Sequence, residues 1–222
     1  MRVELPTHTA TELALPDGPA TRGVVIVPDI AGLRPLFVDL AARLALDYRW
    51  AVAVFDPFPG RELPTIDDRF AAVPTLDDAA VLADAVAAAD LLTAQAATER
   101  VAIMGFCMGG MYAYKAASTG RFDRCVPFYG MIRLPVAWRG PGQGEPLQAL
   151  GLPGTCPVLS IIGGRDPYTP PDDVAELARF GPLVTPVRYP EAEHGFVHDP
   201  TRPAHRAEDA ADAWRRVVEF LA

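Results

Sequence analysis

The sequence predicts an α/β fold in which a mostly parallel central sheet carries helices on both faces. Short runs rich in β-branched and aliphatic residues alternate along the chain with longer helical stretches. The runs are apolar at almost every position, as a parallel sheet covered by helices requires. At 222 residues, 50% of them hydrophobic, the chain is long enough for one buried core, and we expect a single domain over residues 1–222.

The predicted elements follow one another with short connections, except in two places. Near the start, two short segments of alternating polarity predict an antiparallel edge hairpin, residues 1–6 and 10–16. The remaining strands are predicted at residues 23–28, 50–56, 100–106, 124–130, 157–164 and 184–190. Helices are predicted at residues 36–46, 76–95, 108–118, 171–180 and 204–222. Two segments rich in proline and glycine, 56–75 and 139–157, are predicted to be long loops, which in compact domains are usually functional or mobile.

The charge and the cysteine content exclude several classes of protein. The net charge is −8, so no basic surface is expected to attract nucleic acid. The three cysteines, Cys107, Cys125 and Cys156, are an odd number and lack the short spacing of a metal or redox motif. We therefore expect a reduced, cytoplasmic protein without a disulfide framework.

No membrane attachment is expected from the sequence. The first residues lack the apolar core of roughly 7–15 residues that a secretory signal has. The alanine-rich stretch from Ala79 to Ala97 is interrupted by Asp84 and Asp90, and it falls short of the ~18 uninterrupted apolar residues of a membrane span. A monomer is compatible with this composition, which does not determine the oligomeric state.

The segment MGFCMGG, residues 104–110, lies where a predicted strand meets a predicted helix. Its spacing, Gly105-x-Cys107-x-Gly109, is that of a nucleophile elbow with cysteine as the nucleophile. Glycines are needed there because side chains two positions from a strained nucleophile would collide with the neighbouring strand and helix. The helix N-terminus would favour the thiolate. The alternative is that Cys107 is a buried structural cysteine in a glycine-rich turn.

A cysteine nucleophile needs a base and an orienting carboxylate, and both follow further along the chain. Asp166 comes after a predicted strand that ends in two glycines, and His194 follows the last predicted strand, just before Gly195. The order Cys107, Asp166, His194 is the nucleophile, acid, histidine order of the α/β-hydrolase fold. We therefore predict a triad of these three residues.

Two of these residues have alternative roles. Asp166, which precedes a proline, could cap the N-terminus of the next helix. His194 and His198 form an H-x-x-x-H pair, which on a helix could ligate a metal ion. Gly195 and a downstream Asp-Pro pair indicate a loop, and no glutamate lies between the two histidines, so we expect no metal site.

Acyl transfer also needs backbone N–H donors that point at the developing oxyanion. One is expected from Met108, directly after the nucleophile, and one from Ile30, in the loop after the first core strand. Asp29 precedes Ile30, and a carboxylate there would lie close to the thiol. A turn-forming aspartate is the alternative for this position.

The segments PDIAGL, GFCMGG, GGRDPYTP and EAEHGFVHDP together resemble the dienelactone hydrolase family of α/β-hydrolases, over nearly the whole chain. The resemblance implies an α/β-hydrolase fold, hydrolysis of an ester or lactone by the Cys107–His194–Asp166 triad, and no cofactor. It also implies that an acidic residue, here Asp29, holds the resting thiol and that Ile30 supplies an oxyanion N–H. The characteristic family residue at position 29 is glutamate, which is one methylene longer.

Members of this family that act on dienelactone bind its carboxylate with two arginines, one of them four residues after the catalytic histidine. Here that position is His198, and the second arginine would be Arg61 or Arg69, in the loop after the segment FDPFPG. Arg69, Tyr129 and His198 are the candidate substrate-binding residues. The replacement of arginine by His198 favours a broader esterase or lactonase activity over hydrolysis of dienelactone itself.

The leading hypothesis is therefore a carboxylic ester or lactone hydrolase that acts on a small molecule. One alternative is a non-catalytic protein of the same fold that binds ligands in the pocket and uses Cys107 as an oxidation sensor. Another is a metallohydrolase based on His194 and His198. The loop at residues 139–157, together with Trp138, could cover part of the pocket.

Overall fold

All 222 residues are described in the computed structural model, in which eight strands form one sheet. The strands are β1 (Arg2–Glu4), β2 (Ala10–Ala14), β3 (Arg22–Val27), β4 (Trp50–Phe55), β5 (Val101–Phe106), β6 (Arg124–Phe128), β7 (Val158–Gly163) and β8 (Val184–Tyr189). Their order across the sheet is β1-β2-β4-β3-β5-β6-β7-β8. The strands from β3 to β8 are parallel to one another, and β2 is antiparallel to both β1 and β4.

The register brings the carboxyl ends of the parallel strands to one edge of the sheet. Phe106 at the end of β5 lies beside Phe128 at the end of β6, and Gly163 at the end of β7 lies beside Tyr189 at the end of β8. In open parallel sheets this edge is where ligands bind. The loops that carry the candidate site residues therefore meet at the edge where a site is expected.

Helices cover both faces of the sheet, as predicted. They are α1 (Pro35–Tyr48), α2 (Ile66–Ala72), α3 (Asp78–Ala96), α4 (Met108–Ala116), α5 (Pro146–Leu150), α6 (Pro171–Leu177) and α7 (Ala207–Leu221). Side chains of α1 and α7 form the core on one face, and those of α3 and α4 form the core on the other. Along β3, Val25 and Val27 enter the core beside α3, whereas Val24 and Ile26 enter the core beside α1. This two-sided burial is the reason that the strands are apolar throughout.

Two short helices lie inside segments that were predicted to be loops. In α2, the hydroxyl of Thr65 accepts the N–H of Asp68 at 3.1 Å, and the Asp68 carboxylate accepts the N–H of Thr65 at 3.0 Å. This reciprocal capping box stabilises a helix of only seven residues. In the second segment, α5 begins at Pro146, a position that suits proline because its missing N–H is not needed there. Residues 56–75 and 139–157 are therefore loops only in part.

Helix α3 has the length and composition of a membrane-spanning helix, with 19 residues and a mean hydropathy of 1.4 over its best window. In the fold it packs against β3 and β4, with Val81, Ala85, Ala88 and Leu92 buried. One such helix is a weak indication of membrane insertion, because core helices have the same composition.

Candidate active site

Cys107 occupies the turn between β5 and α4, with a φ of 57° and a ψ of −119°. A positive φ in a residue that carries a Cβ costs about 1–3 kcal/mol, and such strain is retained mainly at functional sites. Hydrogen bonds hold the turn, since the N–H of Cys107 donates to the carbonyl of Phe128 at 3.1 Å and its carbonyl accepts the N–H of Met111 at 3.0 Å. The thiol therefore lies at the carboxyl edge of the sheet, at the N-terminus of α4.

Only glycine fits at the positions around Cys107. A Cβ on Gly105 would lie 2.0 Å from the carbonyl oxygen of Gly109, and a Cβ on Gly109 would lie 2.1 Å from that of Val27. These distances are well below van der Waals contact and involve backbone, which cannot move aside cheaply. The glycines of MGFCMGG are thus explained by the close approach of α4 to β3 and β5.

His194 and Asp166, predicted as base and acid, are neighbours in the loops that follow β8 and β7. Nδ1 of His194 lies 2.8 Å from Oδ2 of Asp166. Oδ1 of Asp166 accepts the N–H of Tyr168 at 2.8 Å, so both carboxylate oxygens are engaged. The alternative role of Asp166 as a helix cap is not realised, because the N-cap of α6 is Pro170.

The surroundings of His194 favour its protonated form. Burial opposes the charge, but the hydrogen bond to Asp166 and the adjacent Cys107 outweigh burial and raise the pKa of His194 to about 10. Nε2 is buried and makes no hydrogen bond of good geometry. Because Nδ1 is bonded to Asp166, Nε2 is the nitrogen left to interact with Cys107.

Cys107 and His194 line a cavity of about 500 Å³. Its apolar lining comes mainly from Ile30, Ile66, Phe70, Met131 and Trp138, and its charged lining from Asp29, Arg34, Asp199 and Arg202. A larger hollow of about 660 Å³ lies along the outer surface of α3, but its lining contains no cysteine, histidine or arginine. The cavity at Cys107 is therefore the one that combines a thiol, an imidazole and guanidinium groups.

The two predicted oxyanion donors come from the loop after β3 and from the first residue of α4. Met108 is the first residue of α4, where backbone N–H groups have no acceptor within the helix. Ile30 lines the cavity, and its N–H donates to no other backbone or side-chain group. Both N–H groups are thus compatible with the predicted role, which stays a prediction.

Asp29, expected to hold the resting thiol, is hydrogen-bonded to other groups. Its Oδ1 accepts from the Ala31 N–H at 2.9 Å and from Arg34 Nη1 at 2.5 Å, and its Oδ2 accepts from Arg34 Nη2 at 2.9 Å and from His198 Nε2 at 2.8 Å. Burial opposes ionisation, but the bonds from His198 and Arg34 hold the pKa of Asp29 well below its usual value. No hydrogen bond joins Asp29 to Cys107. The expected contact is therefore not formed, because a short carboxylate next to an arginine and a histidine is fully engaged by them.

The three candidate substrate-binding residues do not line the cavity. The side chain of His198 is completely buried and joins the hydroxyl of Tyr129 to Asp29. The ring of Tyr129 packs edge-on to that of His194, with centroids 5.2 Å apart. The guanidinium of Arg69 lies over the ring of Phe58 at 5.7 Å. Tyr129 and His198 are buried outside the lining, and Arg69 packs against Phe58 and Gly32, so none of the three belongs to the lining of this cavity. Their role in binding substrate stays a prediction.

Arg34 and Arg202 are the arginines that line the cavity, and the sequence analysis missed both. Arg34 is neutralised by Asp29. Arg202 forms no ion pair, and its guanidinium lies against Gly195, where a Cβ would come within 2.5 Å of Nη1. The signal available in the sequence was an arginine in the same loop as His194, but spacing does not reveal which loop residues fold back over the site.

Two further expectations concern metal binding and the long loop. His194 and His198 hydrogen-bond to different carboxylates, Asp166 and Asp29, and the chain contains no cluster of three or more candidate metal ligands. Trp138 lines the cavity, but no residue of segment 139–157 does. That segment is anchored elsewhere, through the N–H of Asp78 at the start of α3, which donates to the carbonyl of Gly142 at 2.9 Å.

Cys107 lies between glycines on a strained strand-to-helix turn, at the carboxyl edge of a mostly parallel sheet. This arrangement is characteristic of the α/β-hydrolase superfamily. Within that superfamily the sequence profile of the dienelactone hydrolase family matches residues 9–222. The chain belongs to the dienelactone hydrolase family, and the predicted resemblance is confirmed.

Relatives in sequence and in structure agree with this membership. A Bradyrhizobium protein named "Probable 2-oxo-3-(5-oxofuran-2-ylidene)propanoate lactonase" is 30% identical over 236 residues, covering 99% of this chain and 92% of the relative. An Escherichia coli K12 protein, provisionally named a carboxymethylenebutenolidase, is 29% identical over 92% of this chain and 78% of its own. A Klebsiella pneumoniae crystal structure, provisionally described as a dienelactone hydrolase, has a TM-score of 0.85 and 24% identity, covering 100% of this chain and 97% of the other. The predicted enzyme class, a carboxylic ester or lactone hydrolase, is confirmed.

Proposed function

We propose that the protein hydrolyses its ester or lactone substrate through a covalent thioester on Cys107, with His194 as the base and Asp166 as the residue that orients it. The observation that supports this best is the convergence of three loops on one cavity. Cys107 is strained and lines the cavity, His194 lines the same cavity, and Asp166 binds the far nitrogen of His194 at 2.8 Å. A shared cavity and a hydrogen bond between the base and its orienting acid are two of the relations that such a triad requires.

In the first half of the reaction, Nε2 of His194 carries the proton released by the Cys107 thiol, because the raised pKa of the ring favours its charged form, and the thiolate attacks the substrate carbonyl carbon. The tetrahedral intermediate collapses when the carbon–oxygen bond to the leaving group breaks and His194 returns its proton to that oxygen. In the second half, His194 takes a proton from water, and the resulting hydroxide attacks the thioester carbonyl. The carbon–sulfur bond breaks, the carboxylic acid is released, and Cys107 regains a proton.

Backbone N–H groups of Ile30 and Met108 would stabilise both tetrahedral intermediates. One such donor is commonly worth about 2.7–4 kcal/mol because it is fixed in advance and acts in a site with little water. The free N–H of Ile30 and the position of Met108 at a helix N-terminus support this assignment.

The substrate that fits this cavity best is a small ester or lactone with a negatively charged group near the scissile bond. Arg202 lines the cavity without a carboxylate partner of its own, whereas the net charge of the whole chain is −8. A guanidinium in that position favours a bound carboxylate, since it can donate two parallel hydrogen bonds. The Bradyrhizobium relative is named for a lactone that carries a propanoate group, which agrees with this class. Apolar contacts with Phe70 and Trp138 would accommodate the remainder of the molecule.

The test is turnover of small activated esters and lactones by the wild type, Cys107→Ala and Cys107→Ser. We expect Cys107→Ala to lose at least about 10³-fold in kcat, because removal of a nucleophile in a comparable triad costs up to ~10⁶-fold. Cys156→Ala removes a buried thiol outside the cavity and is the matched control.

The same measurements separate the alternatives. A covalent thioester trapped by rapid acid quench and located on Cys107 by mass spectrometry would support the mechanism directly. Turnover that survives in Cys107→Ala but is lost with a chelator would instead favour the metallohydrolase. Ligand binding without any turnover in the wild type would favour the non-catalytic sensor.

A further inference from the structure

His198 occupies a position that neither the triad nor the cavity explains. Its side chain is 0% exposed, although it lies in the loop after β8 that also carries His194. Its ring stacks on Phe37, with centroids 5.6 Å apart and planes 22° apart, and packs against Phe106 with centroids 5.0 Å apart. Phe106 is the residue immediately before Cys107. The imidazole is therefore held between Phe37 and Phe106, next to the turn that carries Cys107.

Both ring nitrogens of His198 are hydrogen-bonded, and the direction of each bond follows from its partner. Asp29 is ionised, because bonds from His198 and Arg34 hold its pKa low, and a carboxylate can only accept. Nε2 therefore carries the proton that is donated to Asp29. Burial lowers the pKa of His198, against the pull of Asp29, so the ring is neutral and Nδ1 is an acceptor. Burial raises the pKa of Tyr129 well above its usual value, so its hydroxyl donates to Nδ1.

The chain of bonds continues from Asp29 into the turn that carries Ile30. Oδ1 of Asp29 accepts the N–H of Ala31 at 2.9 Å, and the carbonyl of Asp29 accepts the N–H of Gly32 at 2.9 Å. The first bond fixes the peptide group between Ile30 and Ala31, and the second fixes the carbonyl of the peptide group that carries the Ile30 N–H, which is itself left free. The orientation of the Ile30 N–H is thus set by Asp29, and the orientation of Asp29 is set by His198 and Arg34.

We propose that His198 is a positioning residue for the hydrolytic reaction: it holds Asp29, and through Asp29 the turn that directs the Ile30 N–H to the oxyanion. The inference rests on the proposed function, because it assigns a role within the same site. Tyr129 sets the tautomer of His198 in this arrangement, and Phe37 and Phe106 set the plane of its ring. His198 acts on the loop that follows β3 and has no contact with the substrate.

Two substitutions of His198 differ in whether the side chain can still donate a hydrogen bond to Asp29. In His198→Gln the side-chain amide nitrogen reaches about the place of Nε2 and can still donate to Asp29. In His198→Asn the shorter amide reaches only the place of Nδ1, so the bond to Asp29 is lost while Tyr129 keeps a partner. His205→Asn changes a half-buried histidine of the same loop that bonds to neither residue, and it serves as the matched control.

Two rates distinguish positioning from general damage. The first is the acylation rate of Cys107, followed as the burst of nitrophenol from a p-nitrophenyl ester, which depends on the oxyanion donors. The second is the alkylation rate of Cys107 by iodoacetamide, which depends on the thiolate and His194 but not on an oxyanion site. We expect His198→Asn to lower the acylation rate by about 10- to 100-fold, the cost typical of a misplaced catalytic group. KM and the alkylation rate should stay close to the wild-type values, and His198→Gln should recover most of the acylation rate.

The proposal is overturned if His198→Asn acylates at the wild-type rate, if His198→Gln falls as far as His198→Asn, or if alkylation falls in parallel with acylation. Should His198→Asn not fold, Asp29→Asn and Asp29→Ala provide the same comparison, since only the amide keeps an acceptor for the Ala31 N–H. Wild-type acylation by Asp29→Ala would equally overturn the proposal. Cys107→Ala distinguishes failure of the positioning proposal from failure of the proposed function. If that variant still turns over substrate, the proposed function is wrong, whatever the His198 variants show.

Discussion

Nδ1 of His194 and Oδ2 of Asp166 lie 2.8 Å apart in a site where only 13% of the histidine side chain and none of the aspartate side chain is exposed. The bond orients the imidazole so that Nε2 is free, and it favours the charged ring that forms when the thiol loses its proton. The two residues come from loops after β7 and β8, so the pairing depends on the parallel register of these adjacent strands.

Asp166→Asn should leave the fold intact and lower kcat by about 10³- to 10⁴-fold, because an amide stabilises the wrong histidine tautomer. The alkaline limb of the pH profile should move as well. In the wild type, activity should fall as the pH rises through about 10, the pKa of His194, where the ring no longer carries a proton for the leaving group. Without the carboxylate the pKa of His194 falls, so the limb should shift to lower pH.

Asp172→Asn is the matched control for this prediction, since Asp172 is an exposed aspartate in the first turn of α6. Its rate and pH profile should equal those of the wild type. An Asp166→Asn enzyme with wild-type kcat would show that Asp166 does not orient the base.

Acid stability should depend on Asp29. Bonds from His198 and Arg34 lower its pKa in the folded state relative to about 3.9 in the unfolded chain. A depressed carboxylate pKa contributes stability that is fully present above the unfolded pKa and is lost as the pH falls toward the folded pKa. Below pH ~4, where the unfolded chain takes up a proton at this carboxyl, the free energy of unfolding of the wild type minus that of Asp29→Asn should therefore shrink as the pH falls. Urea titrations at several pH values below ~4 measure this difference, and a difference that keeps growing there would contradict the assignment.

Iodoacetamide should label Cys107 before the other two cysteines. Cys107 is partly exposed and lies at a helix N-terminus beside His194, whereas Cys125 and Cys156 are buried. Burial also raises the pKa of both buried thiols, which keeps them protonated. Peptide mapping after brief labelling at pH 7 measures the order. Equal labelling of all three cysteines in folded protein would mean that the elbow does not activate its thiol.

Arg202→Ala should raise KM for esters that carry a carboxylate by about tenfold or more, since a charge-assisted hydrogen bond contributes roughly 1.5–3 kcal/mol. KM for neutral esters of similar size should change little. Arg165→Ala is the control, because Arg165 pairs with Glu191 on the surface and does not line the cavity. Equal effects of Arg202→Ala on charged and neutral esters would argue against an anionic substrate.

The parts of the fold that the sequence predicted well are those with local signals. The two-sided burial of β3 to β7 appears as uninterrupted apolar runs, and the hairpin of β1 and β2 appears as alternation. The short helix α2 was missed because its capping box, at Thr65 and Asp68, is surrounded by prolines that indicate a loop. The elbow was recognisable because steric exclusion at Gly105 and Gly109 leaves a fixed spacing in the sequence.

By itself, therefore, the sequence determined the fold class, the glycine-flanked turn at Cys107 and the candidate acid and histidine, since each follows from periodicity, glycine spacing or chain order. Only the tertiary structure decided which partners Asp29 takes and which arginines line the cavity. Asp29 is satisfied by Arg34, five residues away, and by His198, 169 residues away, and Arg202 reaches the cavity from a loop with no regular pattern. Which groups pair depends on all the hydrogen-bond donors and acceptors that the sheet brings to one edge. These groups come from distant parts of the chain, so no single stretch of sequence predicts the pairing.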